Sequence, residues 1–505
     1  MLSLIDKFVN GITMYRLILY YMLSLLLVAA VLSIFGVLPF SLLALVVSVS
    51  IITATCWVTN TIFGKVFEVP TNVESIYITS LVLSLIITPP TLFDPAGLWF
   101  LFWTSVWAMA SKYIVALNKK HIFNPAAFAV ALMALTINQS ASWWVATLPL
   151  LPFVLIGGIL ITRKIHRFDV VLSFIVTSTI TIFLTTNQPN ILETLHKTFI
   201  LSPLLFFAFV FITEPLTSPP TRELRIVYGA IVGLLFAPAI HIGPVYSTPE
   251  LAMLAGNIFS YLVSPKKRHL LKLKEKVVYG KDIIDFIFSA PNAIKFRAGQ
   301  YLEWTLSLKH PDNRGNRRYF TIASSPTEKE IHLGVKFYPE PSTFKKSLFE
   351  LKPGDKIMAS QLAGDFVLPP DKNQKLAFIA GGIGITPFRS MIKYLIDNDE
   401  KRSLVLFYSN RALSEIAYKD ILDQAEQKFS MKTVYILTDI NSCPIDWKGC
   451  KGHLDAKMIA TEMPDYRERT FYISGSNVMV VAFKKTLKDM GVNSRQIRVD
   501  FFPGF

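Results

Sequence analysis

The sequence predicts a polytopic α-helical membrane domain of about ten transmembrane helices, followed by an antiparallel β-barrel and then an α/β domain. Two charge-free runs, Leu17 to Gly64 and Ile122 to Thr162, predict the membrane domain. Each run is long enough for two spans, because one span needs roughly 20 apolar residues. Beyond about residue 265, short apolar runs alternate with many charged residues, which is typical of a soluble structure.

Prolines, glycines and charges divide the membrane part into ten apolar segments. They lie near residues 17–35, 40–60, 74–88, 98–116, 123–137, 143–162, 168–186, 198–212, 226–242 and 250–263. Assigning alternate loops to opposite sides collects these basic residues on one side: Lys7, Arg16, Lys65, Lys119, Lys120, Arg163, Lys164, Arg167, Arg222, Arg225, Lys266, Lys267 and Arg268. The other side receives Lys197. The positive-inside rule therefore predicts a protein integral to the inner (plasma) membrane, with both termini and the C-terminal half in the cytoplasm.

Composition narrows the possible partners. The net charge of +15 does not indicate nucleic acid, because the basic residues form short clusters at the ends of apolar segments. The predicted partner of the first domain is the lipid bilayer. Cys56, Cys443 and Cys450 are too few and too scattered for a disulfide framework or a four-cysteine iron–sulfur cluster, and no metal site is predicted.

The soluble half divides into two patterns, which gives predicted domains of 1–265, 266–370 and 371–505. In the second domain, an antiparallel barrel is predicted from the β-rich stretches Val277–Ile287, Tyr301–Ser307, Tyr319–Ala323 and Ile331–Phe337. In the third domain, an α/β fold is predicted from helical segments that alternate with the strands Leu376–Ala380, Ser403–Tyr408, Thr433–Thr438 and Thr470–Ser474.

A first motif, Arg318-Tyr319-Phe320-Thr321, lies on a predicted barrel strand. An arginine fork suits a pyrophosphate, a neighbouring aromatic ring can stack on an isoalloxazine, and a hydroxyl can reach the polar edge of that ring. The alternative, an ordinary surface strand, has about equal weight for this stretch alone.

Two further motifs are predicted to bind phosphate. Ser342-Thr343-Phe344-Lys345 opens a short helix whose exposed N–H groups attract anions, although a merely capped helix is the simpler alternative. The third motif follows a strand and opens an apolar helix with Gly381, Gly382, Gly384, Thr386 and Pro387. Its glycines let the backbone approach a pyrophosphate, and its proline suits a first helical turn.

In this order, the three motifs resemble the ferredoxin-NADP reductase family, and the resemblance covers about residues 271–505. It implies FAD bound to the barrel and NADH or NADPH bound to the α/β domain. It also implies that Arg318 binds the FAD pyrophosphate, that Phe320 stacks against the flavin or its ribityl chain, and that Thr321 approaches flavin N5. Phe320 stands where the family usually has tyrosine.

The chain departs from this family near its end. Ser474-Gly475-Ser476 replaces the cysteine-glycine-proline that the family often has, but hydride transfer depends on geometry rather than on that thiol. Asp500-Phe501-Phe502 resembles the family's acidic-x-aromatic ending. The resemblance makes Thr321, Ser474, Asp500 and Phe502 the predicted catalytic residues, with Phe502 covering the flavin ring or, as an equal alternative, serving in the core.

The choice of dinucleotide stays open. The strand 403–408 ends in Ser409-Asn410-Arg411 without a carboxylate to hold a ribose 2′-hydroxyl. Arg411 could face a 2′-phosphate, which slightly favours NADPH, and a solvated loop arginine is the equal alternative.

Polar residues at the edge of the membrane domain are further candidates, because such residues are energetically costly there. One stretch contains Asn124 in Phe123-Asn124-Pro125-Ala126, and the other contains Thr213, Glu214, Thr217 and Ser218. Prolines and hydroxyls at a helix end can leave backbone groups free to hold a cofactor, and a proline-rich connecting loop is the alternative.

These stretches, with Tyr228-Gly229 and the ten segments, resemble a family of membrane proteins that belong to the sodium-pumping NADH:quinone reductase and to the Rnf complex. That family carries flavin, partly attached to threonine in a Ser-Gly-Ala-Thr context. The tetrapeptide is absent from this chain, so the resemblance implies a second, non-covalent flavin, FMN or riboflavin, in the membrane domain.

The leading functional hypothesis is an NAD(P)H-driven electron conduit that ends on a quinone or an extracytoplasmic redox protein. A haem-containing reductase of the ferric reductase or NADPH oxidase type is the alternative, but it needs facing histidine pairs. The histidines up to residue 270 fall in predicted loops or at segment ends: His121, His166, His196, His241 and His269. A third class is a transporter or a redox-regulated sensor, in which Glu74 and Glu214 would bind ions.

Overall fold

The computed structural model describes residues 12–67, 73–117, 120–186, 190–264, 267–308, 312, 315–429 and 431–502, without the side chains of residues 442, 501 and 502. The chain forms two compact units, Met1–Lys267 and Arg268–Phe505. Three of the basic residues used for the topology prediction, Lys7, Lys119 and Lys266, lie outside the described residues.

The described part of the first unit is mainly helical. Its helices are α1 (Met14–Ile34), α2 (Leu42–Val66), α3 (Val73–Ile86), α4 (Pro95–Ile114), α5 (Pro125–Ile137), α6 (Leu151–Ile165), α7 (Phe168–Thr185), α8 (Ile191–Phe199), α9 (Leu204–Phe206), α10 (Arg222–Leu235) and α11 (Pro249–Val263). Two short hairpins are formed by β1 (Ala116–Leu117) with β2 (Lys120–His121) and by β3 (His241–Ile242) with β4 (Val245–Tyr246). Side chains that accept an N–H from the first turn begin several of the helices: Thr13, Ser41, Asp94, Asn124 and Thr248.

Each of the ten predicted segments contains helix, but the helices differ in length. Within the described residues, α1, α2 and α7 are long and apolar enough to cross a membrane, and the pair α8 and Leu204–Phe211, bent by 52°, is a fourth candidate. Helix α5 has 13 residues, so at 1.5 Å per residue it extends only about 20 Å against a hydrocarbon core of about 30 Å. Ten crossings therefore remain a prediction.

Small residues let two of these helices pack closely. A Cβ on Gly229 of α10 would lie 2.8 Å from the Val170 carbonyl oxygen of α7, and one on Gly233 would lie 2.7 Å from that of Phe174. Such backbone approach is typical of helix pairs in membranes. A five-residue π-helix, Phe207–Phe211, directly follows α9.

The second unit begins with an antiparallel sheet. Its strands are β5 (His269–Tyr279), β6 (Ile283–Ser289), β7 (Tyr301–Thr305), β8 (Arg317–Thr321), β9 (Ile331–Lys336) and β10 (Lys356–Ala363), in the order β8-β7-β10-β5-β6-β9. Helix α12 (Thr343–Glu350) lies between β9 and β10 in sequence. The predicted β-rich stretch Val277–Ile287 covers the end of β5 and the start of β6, which are joined by a turn at Gly280 with φ +60°.

The second sheet is parallel. It contains β11 (Leu376–Gly381), β12 (Leu404–Asn410), β13 (Met431–Leu437), β14 (Cys450–Lys451), β15 (Thr470–Ser476) and β16 (Ile497–Phe502), in the order β14-β13-β12-β11-β15-β16. The longer helices between them are α13 (Thr386–Asp397), α14 (Lys419–Lys428), α15 (Ala456–Glu462) and α16 (Asn477–Asp489). Strand order reverses between β11 and β15, and ligands of such sheets bind outside the carboxyl ends of the strands at this point.

Candidate functional site

Strand β8 carries the first motif and pairs with β7 through Leu302↔Phe320. Arg318 is buried, and its guanidinium carbon lies 5.2 Å from the centre of the Phe344 ring. The Phe320 ring lies 6.1 Å from that same ring. Tyr319 points the other way, because side chains alternate along a strand, and its hydroxyl donates to the Glu303 carboxylate at 2.8 Å.

Two predicted site residues are among the residues of this unit whose buried hydroxyls have no hydrogen-bond partner in the described chain, together with Tyr418, Thr433 and Tyr435. The Oγ1 of Thr321 and the Oγ of Ser474 are buried and have no hydrogen-bond partner within the part of the chain that the structure describes. Buried hydroxyls are normally hydrogen-bonded. Both atoms are therefore suited to bond the polar edge of a bound ligand, which is the role predicted for Thr321.

The predicted phosphate helix begins as expected, but its N-terminus faces a carboxylate. Ser342 Oγ accepts the N–H of Lys345 at 3.3 Å, while the N–H of Thr343 donates to the Asp312 carboxylate at 3.0 Å. The Phe344 side chain is fully buried in the hydrophobic core of the antiparallel sheet, and Lys345 Nζ donates to the Lys336 carbonyl oxygen at 3.0 Å. A phosphate would have to displace Asp312, and the side chains of Phe344 and Lys345 contribute to packing.

A cavity of about 300 Å³ lies at the carboxyl ends of β11, β12 and β13. It brings together four predicted residues, Gly381, Gly382, Ser409 and Arg411. Sequence reasoning missed the other lining residues: Lys336, Asn410, Glu415, Thr438, His453, Leu454, Met479 and Phe483. Gly382 has φ +53° and no atom within 4 Å of the place where a Cβ would stand, so its backbone is open to a ligand.

The remaining residues of the glycine turn hold it against β15. A Cβ on Gly384 would lie 2.3 Å from the Ser474 carbonyl oxygen, so only glycine permits this approach. Gly475 is less restricted, since its Cβ would lie 2.9 Å from the sulfur of the flexible Met479 side chain and 3.5 Å from the nearest backbone atoms. Thr386 Oγ1 donates to the Ile383 carbonyl oxygen at 3.2 Å, and Pro387 is buried in the first turn of α13.

The chain end lies beside Ser474. Asp500 pairs with Ser474 in the register of β15 and β16, and Phe502 pairs with Ser476. The Phe502 side chain lies outside the described residues, so its predicted contact with the flavin ring stays a prediction.

Helix α13, which follows the glycine turn, bonds to the residues that follow the arginine motif on β8. Arg389 forms an ion pair with Glu328 and donates to the Ala323 carbonyl oxygen at 3.1 Å. Ser390 Oγ donates to the Ser324 carbonyl oxygen at 2.6 Å. Because Ala323 and Ser324 lie two and three residues after Thr321, the last residue of β8, these bonds form a clamp that holds the strand end close to α13 and the glycine turn.

In the first unit, Glu214 joins the two predicted polar stretches. Its Oε2 accepts from Asn124 Nδ2 and from Thr217 Oγ1, each at 2.8 Å. The Asn124 N–H donates to Asn257 Oδ1 of α11 at 2.8 Å, and Asn124 Oδ1 caps α5. Residues 90 positions apart in sequence are thus brought together in one hydrogen-bonded group, the Glu214 cluster (Asn124, Glu214, Thr217 and Asn257).

The neighbouring predicted residues support this cluster. Thr213 Oγ1 donates to the Phe209 carbonyl oxygen at 2.7 Å, at the end of the π-helix. Ser218 Oγ donates to the Glu214 carbonyl oxygen at 2.5 Å and is bonded by the buried Arg167. The proline-rich stretch between the π-helix and α10 therefore makes ordered polar contacts, and its binding of a cofactor stays a prediction.

A cavity of about 80 Å³, the Glu214 cavity, is lined by Asn124, Thr213 and Glu214 among others. Thr217 and Asn257 line a smaller cavity of about 10 Å³. Sequence reasoning missed Lys112, which lines the Glu214 cavity, although a charged residue inside the apolar segment 98–116 was a usable signal. Across the described helices, none carries two histidines.

Three known families match the chain. Residues 147–268 match the NQR2, RnfD, RnfE family, residues 270–367 match the oxidoreductase FAD-binding domain, and residues 378–485 match the oxidoreductase NAD-binding domain. These matches bear out the predicted fusion of a membrane family with a ferredoxin-NADP reductase-like half.

Individual relatives match the second unit. NADH-cytochrome b5 reductase 1 of Mortierella alpina is 29% identical over 234 residues, which cover 45% of this chain and 77% of that protein. The glycine betaine monooxygenase reductase subunit of Pseudomonas aeruginosa is 25% identical over 238 residues, which cover 46% of this chain and 64% of that protein. A crystal structure of an Amycolatopsis cytochrome P450 reductase, 23% identical, matches with a TM-score of 0.42 over 47% of this chain and 70% of that one.

Proposed function

We propose that this chain, an NAD(P)H oxidoreductase that joins an NQR2/RnfD/RnfE family domain to FAD- and NAD-binding domains, passes electrons from NAD(P)H through FAD to a flavin in its membrane domain and on to a quinone or an extracytoplasmic acceptor. The observation that carries the proposal is the Glu214 cluster, a polar group that lines cavities in the first unit and has three of its four residues within the range 147–268 matched by the NQR2, RnfD, RnfE family. Both termini and the second unit are proposed to be cytoplasmic.

The second unit suits FAD. Thr321 and Ser474 present two buried hydroxyls that lack partners among the described residues, and Arg318 is held over the Phe344 ring. When bound, FAD supplies the conversion of a two-electron hydride into single electrons. The chain's own task is to hold donor and acceptor rings at a fixed distance, and the clamp of Arg389 and Ser390 serves that task.

The cavity at the parallel sheet suits a nicotinamide dinucleotide. Gly381 and Gly382 expose backbone to the cavity, and Ser409 and Arg411 line it at the end of β12. Glu415 also lines it, but its carboxylate is paired with Lys336 Nζ at 2.7 Å. Arg411 thus supports recognition of the 2′-phosphate of NADPH, whereas the Mortierella relative is named an NADH reductase. Comparing kcat/KM for the two nucleotides decides between them.

The Glu214 cavity has polar groups that suit the edge of a flavin ring, but its volume is smaller than the whole ring needs. Asn124, Thr213 and Glu214 provide hydrogen-bonding groups, but about 80 Å³ is small beside the roughly 300–1,000 Å³ of typical ligand pockets. Met14 and Met22 also line the cavity, and flexible thioether side chains can move aside. A flavin would therefore enter together with a rearrangement of these methionines.

Flavin counting tests the proposal. The purified full-length protein is extracted with acid, and FAD, FMN and riboflavin are quantified per chain, while absorbance spectra report any haem. We expect FAD and a second flavin, and we expect Glu214→Gln to lose the second flavin and keep FAD. Glu223→Gln, an exposed carboxylate at the start of α10, is the matched control and should keep both. A wild-type protein with FAD alone, or with a Soret band, would refute the proposal.

A further inference from the structure

Lys112, near the end of α4, is an ammonium with no counter-ion in contact among the described residues. Its Nζ donates to the Ser75 carbonyl oxygen at 3.2 Å, to Ser75 Oγ at 3.1 Å and to Thr79 Oγ1 at 3.0 Å. All three acceptors are neutral, and Lys112 forms no ion pair with any residue that the structure describes. The three N–H bonds of the ammonium are thus used within α3.

This charge lies on the wall of the Glu214 cavity. A charge in the apolar part of a membrane protein is costly unless something compensates it, so such residues commonly mark a functional site. Glu214 Oε2 is already bonded to Asn124 and Thr217. Glu214 lines the same cavity and attracts the Lys112 ammonium electrostatically, but the two groups form no ion pair at contact distance within the part of the chain that the structure describes. The positive charge on this wall of the cavity is therefore not held in a direct ion pair.

We propose that Lys112 is a positioning residue that raises the reduction potential of the ring bound in the Glu214 cavity by stabilising its negatively charged, singly reduced form. The inference rests on the proposed function, which puts a flavin in this cavity. Adding one electron without a proton gives a neutral ring one negative charge. That electron would come from the NAD(P)H-reduced FAD of the same chain and would leave to the proposed quinone or extracytoplasmic acceptor.

The hydrogen bonds of Lys112 favour this role over direct capture of a phosphate. Phosphate is held by charge-assisted hydrogen bonds, for which the donor must have N–H groups to offer. Lys112 uses its three on Ser75 and Thr79, so it acts on the cavity through its charge. A fixed charge in a medium of low dielectric constant acts strongly on a neighbouring charge.

The test is a spectroelectrochemical titration of the two flavins in the full-length protein. Lys112→Met and Lys112→Gln remove the charge, and the glutamine keeps a donor for Ser75. Lys112→Arg keeps the charge, and Lys65→Met removes an exposed lysine that does not line the cavity. In both neutral variants, we expect the equilibrium ratio of reduced to oxidised second flavin to fall at least tenfold. This change corresponds to a fall of about 59 mV in the one-electron reduction potential. The potentials in Lys112→Arg and Lys65→Met, and that of FAD throughout, should stay at the wild-type values.

The outcomes separate the two claims. A wild-type protein without a second flavin overturns the proposed function and the inference with it. A second flavin whose potential is unchanged in Lys112→Gln overturns the inference alone. Both neutral variants could also lose most of the second flavin while the flavin that stays bound keeps the wild-type reduction potential. That result overturns the inference as well, because Lys112 would then only hold the ligand.

Discussion

The substitution Gly384→Ala tests whether the approach of the glycine turn to β15 sets the geometry of hydride transfer. The added Cβ would lie 2.3 Å from the Ser474 carbonyl oxygen and 2.6 Å from its carbonyl carbon. Both atoms belong to the backbone of a buried central strand and have little room to yield. The turn must therefore move away from Ser474 by most of an ångström.

The expected loss follows from that displacement. A misplacement of about 1 Å can lower a rate by about 10²-fold, and overpacking a core costs about 1–3 kcal/mol. We expect anaerobic stopped-flow reduction of FAD by NAD(P)H to slow by about two orders of magnitude, with unchanged FAD content. Gly449→Ala is the matched control, because its Cβ would lie 2.6 Å from the Tyr435 carbonyl oxygen but outside the cavity lining.

The comparison of the two variants decides the matter. Both variants should lower the thermal midpoint of the second unit, but only Gly384→Ala should slow FAD reduction per folded molecule. Wild-type reduction in Gly384→Ala, or equal slowing in Gly449→Ala, would show that the contact with Ser474 does not control the reacting geometry.

Three further predictions concern the same unit. Glu328→Ala leaves the buried Arg389 without its carboxylate and should destabilise the unit by about 3–5 kcal/mol, measured by denaturant unfolding with FAD fluorescence; an unchanged midpoint would contradict it. The hydrogen bond from Arg469 lowers the pKa of Asp465, burial raises it, and the net result is a pKa below the ordinary value. The stability from Asp465 is therefore present above the unfolded value of about 3.9 and lost as pH falls through the lower folded pKa, so Asp465→Asn should flatten the thermal midpoint's dependence on pH below about 4. Arg411→Ala should raise KM for NADPH and leave KM for NADH unchanged, and equal effects on both would remove Arg411 from 2′-phosphate recognition.

Local chemistry made part of the soluble site predictable. The arginine of β8, the capped helix α12 and the glycine turn are short contiguous motifs, and each forms the predicted element. The β-rich stretch Val277–Ile287 did not locate the turn at Gly280, because apolar residues lie on both sides of that turn. Thr438 was within reach, because it follows a parallel strand and strand ends share one edge of a sheet.

Long-range contacts explain what sequence reasoning missed. Asn124 and Glu214 were singled out in separate stretches, but nothing local indicated their hydrogen bond across 90 positions. Asn257 and Lys112 lie on helices whose partners depend on how the bundle packs, which a single sequence does not specify. The Asp312 carboxylate at α12 was hidden for the same reason, since it comes from a loop 31 residues away.

The clamp between α13 and the end of β8 has a consequence for protein engineering. Arg389 and Ser390 are consecutive residues of the nucleotide-binding lobe, the part of the unit with the parallel sheet. Each donates to a different backbone oxygen, that of Ala323 or of Ser324, in the part with the antiparallel sheet. A chimaera that exchanges the nucleotide-binding lobe for one of another specificity will preserve the spacing between its two redox partners only if the incoming helix supplies that adjacent pair. Swapping lobes at the boundary alone would yield a folded hybrid with poor turnover.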